Sequence, residues 1–242
     1  MSKSAELTRK DMKEPDKFQV AANQAASWIA ARKKAAIPVA AGAVVLLLAV
    51  AGGMALSQRK AEAAGAALAG LYQIAGAEIS SVPLPGVPGP FYPSEEARQK
   101  AIAEAAAKLV ADFGGTRQAA LASLALGDAK LRLGELDAAS AAFQGYLAGA
   151  PKEDAFRFGA LEGLALVAEG KGDVAGALAA WGRLGAEAPA QADRADLEKA
   201  RVLEQAGRLD EARKLLAGFA DAHKESALTG DAAERLARLG GK

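Results

Sequence analysis

Four marker positions in the C-terminal half of this 242-residue chain advance together, and that shared step constrains the fold more than any other feature. Gly134, Gly172 and Gly207 each follow an amphipathic stretch, and five residues later stands Ala139, Ala177 or Ala212. Four residues further comes a bulky apolar side chain, Phe143, Trp181 or Leu216, and Pro151 and Pro189 close the first two units. The units advance by 38 residues and then by 35, and the longer first step fits a few extra loop residues around Pro151, Lys152, Glu153 and Asp154. A common offset across independent markers predicts stacked helix–turn–helix units of about 34 residues. Each residue type has a physical role in that arrangement. The glycine takes the left-handed conformation that ends a helix. The alanine lets the two helices of a hairpin approach closely. The bulky residue plugs the gap to the next unit, and proline stops the second helix.

Composition agrees. Alanine makes up about a quarter of the chain, aromatics only 5%, and β-branched residues are few, which favours closely packed helices over sheet. With no cysteine there is no disulfide framework and no thiolate metal site, and a single histidine, His223, excludes multi-histidine metal sites. His223 stands among Asp221, Lys224 and Glu225 at the end of a predicted helix and reads as a surface residue.

Residues 35–58 carry no formal charge and lie between Arg32, Lys33 and Lys34 on one side and Arg59 and Lys60 on the other. At about 1.5 Å per residue such a helix spans the hydrocarbon slab of a bilayer. Residues 1–34 hold eight Lys and Arg against two in residues 59–78, so the positive-inside bias puts the N-terminus in the cytoplasm. Ala55, Leu56 and Ser57 offer a small-x-small cleavage pattern, but the charged leader and the apolar run are both too long for a signal peptide, which favours an uncleaved signal anchor. Within the tail, Phe18, Ala21, Ala22, Ala25, Trp28 and Ile29 recur at helical spacing after Pro15, predicting a short amphipathic helix at the inner leaflet.

Beyond the anchor, residues 59–80 have helical composition, whereas Val82 to Pro93 holds five of the nine prolines and predicts a stiff, exposed linker or flap without helix or sheet. Ser94 followed by Glu95 and Glu96 reads as a helix N-cap. The predicted layout is a cytoplasmic tail (1–34) with a short amphipathic helix, a transmembrane signal anchor (35–58), a helical extension (59–80), a Pro-rich linker (81–93) and a repeat domain (94–242). The fold class is all-α: one transmembrane helix, then a helical-hairpin solenoid ending in a capping helix at residues 229–239.

Leu126, Gly127, Gly134, Ala139, Phe143 and Pro151 closely resemble the tetratricopeptide repeat. Leu164, Gly172, Ala177, Trp181 and Pro189 match the same pattern, and Gly207, Ala212 and Leu216 form a degenerate third copy without a closing proline. The layout of short tail, single anchor, helix and small repeat array is similar to the bacterial YfgM-like family of ancillary Sec translocon subunits, from which the Pro-rich insertion departs. That resemblance implies a single-pass protein of the bacterial inner membrane with its repeats in the periplasm. It also implies protein partners: translocon subunits, periplasmic folding factors or emerging secretory chains. Mapping the family's groove positions onto this sequence yields Leu124, Asp128 and Arg132, then Glu162, Leu166 and Glu169, then Leu197, Arg201 and Glu204 as candidate contacts.

Other function classes lack residues to support them. No Walker-type phosphate loop or dinucleotide fingerprint exists, no carboxylate pair stands out for acid–base work, and no cofactor or small-molecule substrate is implied. Residues 61–242 hold 20 basic and 25 acidic side chains with no basic stripe, which disfavours nucleic acid. The expectation is a non-enzymatic protein-interaction module, with a structural scaffold of a secretion, pilus or motility apparatus as the alternative.

Overall fold

The computed structural model describes residues 17–31, 33–83, 85, 86 and 88–240. The first sixteen residues of the tail, Pro15 among them, lie outside the described residues. The chain divides into two compact units, residues 1–58 and 59–242.

The first unit holds helix α1 (Lys17–Ala31) and the start of α2 (Lys33–Ala75). α1 has no acidic residue in its first turn, and the indole of Trp28 is 56% exposed. Within Ile37–Ala75 lies a window of mean hydropathy 2.4, none of it buried. That segment is long and apolar enough to cross a membrane.

The second unit begins with the remainder of α2, which ends at Ala75 rather than running to residue 80. Gly76 follows, and its N–H reaches the Tyr72 carbonyl at 2.9 Å to close the last turn. The chain then extends into β1 (Glu78–Ile79), which pairs in parallel with β2 (Phe91–Tyr92), Glu78 opposite Phe91 and Ile79 opposite Tyr92. This corrects the expectation of a linker without sheet. Phe91 and Tyr92 stand between Pro90 and Pro93, keep the N–H groups that proline lacks, and are half-buried. The Ser80 N–H donates to the Tyr92 carbonyl at 2.8 Å, extending the ladder by one bond.

Helix α3 (Glu95–Phe113) starts where Ser94 accepts the Ala97 N–H at 3.1 Å. Its Ile102, Ala103, Ala106 and Leu109 pack with Leu71 of α2, so the far end of α2 and α3 form a leading pair of helices ahead of the repeats. The Lys60 ammonium donates to the Gly114 carbonyl at 2.8 Å just beyond the C-terminus of α3, where the helix dipole favours a cation.

Three hairpins follow: α4 (Arg117–Arg132) with α5 (Leu136–Gly149), α6 (Arg157–Gly170) with α7 (Val174–Glu187), and α8 (Ala192–Gln205) with α9 (Leu209–Ala217). Successive helices pack against their neighbours in order. Gly134, Gly172 and Gly207 have φ of 75°, 72° and 71°. Each closes its first helix with the same bond pair: at the first turn the Gly134 N–H reaches the Leu131 carbonyl and the Glu135 N–H reaches the Lys130 carbonyl. A single 3₁₀ turn at Pro189–Gln191 separates α7 from α8.

The core follows the marker pattern. Ala139, Ala177 and Ala212 are 0% exposed, and Phe143, Trp181 and Leu216 are buried. A further break at Gly218 leads into α10 (Phe219–Ala222), whose Phe219 joins Leu216 in the last core cluster. The terminal helix α11 (Thr229–Gly240) covers that cluster with Ala232, Leu236 and Leu239. His223, expected on the surface, is instead docked on α8. Asp193 and Asp196 stand one turn apart there, and Asp196 Oδ2 lies 2.9 Å from His223 Nε2 while Asp193 accepts the Ser226 hydroxyl at 2.6 Å.

The tightest packing surrounds Phe143. A Cβ added to Gly127 on α4 would lie 2.5 Å from its ring, and one added to Gly163 on α6 would lie 2.3 Å away. Gly145 on the outer side of α5 has open space around it. Gly127→Ala should therefore destabilise the protein by about 1–3 kcal/mol through overpacking, whereas Gly145→Ala should stabilise it by about 0.5–1 kcal/mol through helix propensity. Chemical denaturation of the two variants in detergent reads both signs.

Candidate protein-binding groove

The first helices of the hairpins, α4, α6 and α8, carry the nine sequence-predicted groove residues. Five of them gather around one cavity of about 410 Å³ between α4 and α6: Leu124, Asp128 and Arg132 from α4, and Glu162 and Leu166 from α6. Phe143 and Gly163 also line this cavity, and the Phe143 ring lies against the bare backbone of both Gly127 and Gly163. Phe156, Phe158 and Gly159 complete the α6 side. Phe156 is 50% exposed and Leu166 37%, two of the few large apolar side chains of the second unit that face solvent.

The remaining four residues are arranged differently. Glu169 accepts the Trp181 indole N–H at 2.9 Å and the Arg201 guanidinium at 2.9 Å on both carboxylate oxygens. Arg201 also donates to Glu198 at 2.6 Å, so α6 and α8 are bridged by paired charge. Leu197 is buried at 6% exposure and belongs to the core beneath α11, not to the groove wall. It faces inward because the third hairpin has only the capping segment beyond it, and Leu197 fills that junction. Glu204 is partly buried, and one of its carboxylate oxygens is enclosed without a hydrogen-bond partner.

The acidic groups Asp128, Glu162 and Glu169 are neutralised within the protein. Asp128 pairs with Arg132 at 2.8 Å one turn away, Glu162 pairs with Arg194 of α8, and Glu169 pairs with Arg201. The Asp128 bond holds the Arg132 guanidinium above its ordinary value. No group of three or more histidine, cysteine or acidic side chains able to hold a metal ion occurs among the described residues.

Sequence reasoning overlooked a buried residue between two that line this cavity. Arg157, between Phe156 and Phe158 at the start of α6, is 7% exposed. Its guanidinium donates to the Leu147 carbonyl at 3.1 Å and the Ala150 carbonyl at 3.2 Å, at the C-terminal end of α5, and to Glu187 at 2.7 Å at the end of α7. One side chain thus joins three helices and fixes where α6 begins. The available signal was the pair of phenylalanines flanking an arginine in a chain with only seven phenylalanines.

A solenoid of helical hairpins with an apolar-floored groove, joined to one helix able to cross a membrane, defines a class of protein-interaction modules. The chain belongs to the tetratricopeptide repeat-like family: residues 32–183, more than half of its length, match the family model described as "Tetratricopeptide repeat-like domain". The match ends within α7, so the degenerate third hairpin lies beyond it. No curated protein matches the chain. Repeat folds of this family are typically non-catalytic and serve protein partners.

The Arg157 junction makes a pH prediction. Hydrogen bonds from Arg157, then from Arg183, hold the Glu187 carboxyl below its ordinary value of 4.5, outweighing the effect of burial. A lowered folded value means that this contribution is complete above the ordinary carboxylate range and is lost as pH falls through the lowered value. Glu187→Gln should cost about 1–3 kcal/mol near neutral pH, the scale of a hydrogen bond to a charged group. The gap to the wild type should close at acid pH, as followed by urea unfolding across a pH series.

Proposed function

We propose that this protein is a single-pass inner-membrane protein whose repeats stand in the periplasm and bind polypeptides or chaperones beside the Sec translocon, in the manner of the YfgM-like ancillary subunits. The observation that carries this reading is the joining of an apolar membrane-length helix to a groove in which Asp128, Glu162 and Glu169 are each paired with an arginine while Phe156 and Leu166 face solvent. A groove of that kind favours segments that are partly unfolded or amphipathic, as chains are when they leave a membrane channel. Orientation rests on the excess of Lys and Arg in residues 1–34.

The mechanism is tethering. Confinement beside an exit site raises the effective concentration of the groove toward the millimolar scale, so weak contacts suffice to hold an emerging segment. No catalytic step is needed, and release follows as the segment folds and withdraws its apolar side chains.

Photo-crosslinkable residues placed at Leu124 and Leu166 in living cells, with detergent pull-down of the adducts, test the reading. Recovery of translocon subunits, a membrane-bound folding factor or secretory precursors is the expected result. Recovery of a single structural component of a secretion, pilus or motility apparatus, with general secretion intact on deletion, would instead assign the protein to scaffolding.

A further inference from the structure

Resting on the reading of the repeats as a polypeptide-binding module, we propose that the cavity between α4 and α6 is an anchor pocket for one large apolar side chain of the bound segment, aromatic or leucine-like. Its volume of about 410 Å³ falls in the range of small-ligand pockets, about 300–1,000 Å³. The Phe143 ring, packed against Gly127 and Gly163 and only 4% exposed, contributes to the lining. Leu124, Phe158 and Leu166 line the walls, and the half-exposed Phe156 stands at the rim.

Charge sets the occupant. Asp128 is matched by Arg132 and Glu162 by Arg194, so the rim presents neither a free cation for a terminal carboxylate nor a free anion for an ammonium group. Toward α8 the groove is bridged by the Glu169–Arg201 pair, and Leu197 is turned into the core. A segment lying along the groove therefore meets an apolar opening between α4 and α6 and is read there by a single buried side chain. Hot-spot energetics follow this pattern, with one anchor in a desolvated pocket and near-neutral contacts around it. Binding of this kind depends on apolar content and only weakly on salt.

Gly159 provides a direct test. It lines the cavity, and a Cβ built there meets nothing within 4 Å, so Gly159→Leu fills the pocket without a clash at its first carbon. Gly182 on α7 has equally open surroundings outside the cavity and serves as the matched control. The full chain in detergent micelles is passed over synthetic Ser/Gln peptides immobilised at high density, each with one central pair: Phe-Leu, Asp-Glu, Lys-Arg or Ser-Gln. Only the Phe-Leu peptide should bind, with similar strength at low and high salt. Gly159→Leu should weaken that binding by about tenfold or more, corresponding to about 1.4 kcal/mol, while Gly182→Leu leaves it unchanged. Phe156→Ser, at an exposed position, should weaken it as well, and thermal unfolding of each variant verifies that the fold persists. Binding that follows charge, or Phe-Leu binding that Gly159→Leu leaves intact, overturns the anchor pocket but leaves a polypeptide-binding groove standing. If no peptide binds while crosslinks from Leu124 and Leu166 still capture translocon subunits or precursors, the pocket is again refuted and the wider reading survives. Failure of both experiments removes the two together.

Discussion

A few large side chains set among small ones hold this solenoid together, and the packing of Phe143 shows how. A chain that is about a quarter alanine has little bulk with which to fill a core, so its helices must approach closely and leave few gaps for large side chains to plug. Phe143 fills the gap between α4 and α6 because Gly127 and Gly163 remove the side chains that would collide with it. Trp181 is the corresponding plug of the second hairpin and adds a hydrogen bond to Glu169, while Leu216 shares the role with Phe219 in the third. Truncating a buried Phe or Trp to alanine typically costs about 3–5 kcal/mol, a large fraction of the stability of an ordinary domain.

That dependence explains what the sequence displayed and what it concealed. The markers were legible because each does one local job at a fixed offset: Gly134, Gly172 and Gly207 end helices, Ala139, Ala177 and Ala212 permit contact, and the bulky residues plug. The N-cap at Ser94 and the terminal capping helix were legible for the same reason. Contacts between distant residues were not. Arg157 reaches carbonyls of α5 and a carboxylate at the end of α7, and nothing local announces either partner. Leu197 sits at a groove position by register but turns inward because the next hairpin is replaced by a capping segment. The pairing of Phe91 and Tyr92 with Glu78 and Ile79 was hidden by the surrounding prolines, which mask two residues still able to donate hydrogen bonds.

The groove inherits its chemistry from this packing. Gly127 and Gly163 must be bare to admit Phe143, and the ring so placed also contributes to the lining of the cavity between α4 and α6. The surrounding acids and bases meet one another across neighbouring helices, which ties α6 to α8 and leaves apolar surface as the feature able to attract a ligand. The proposed role in receiving polypeptides thus grows from the features that stabilise the fold, and it requires no residue set aside for catalysis.

Everything functional in this account requires that the repeats be delivered across the bilayer. A periplasm-dependent reporter enzyme joined after Lys242, compared with a cytosol-dependent reporter at the same position, measures this directly. Repeats that stand in the periplasm give activity for the first and none for the second. Activity confined to the cytosolic reporter would place the groove beside the wrong set of proteins and contradict it.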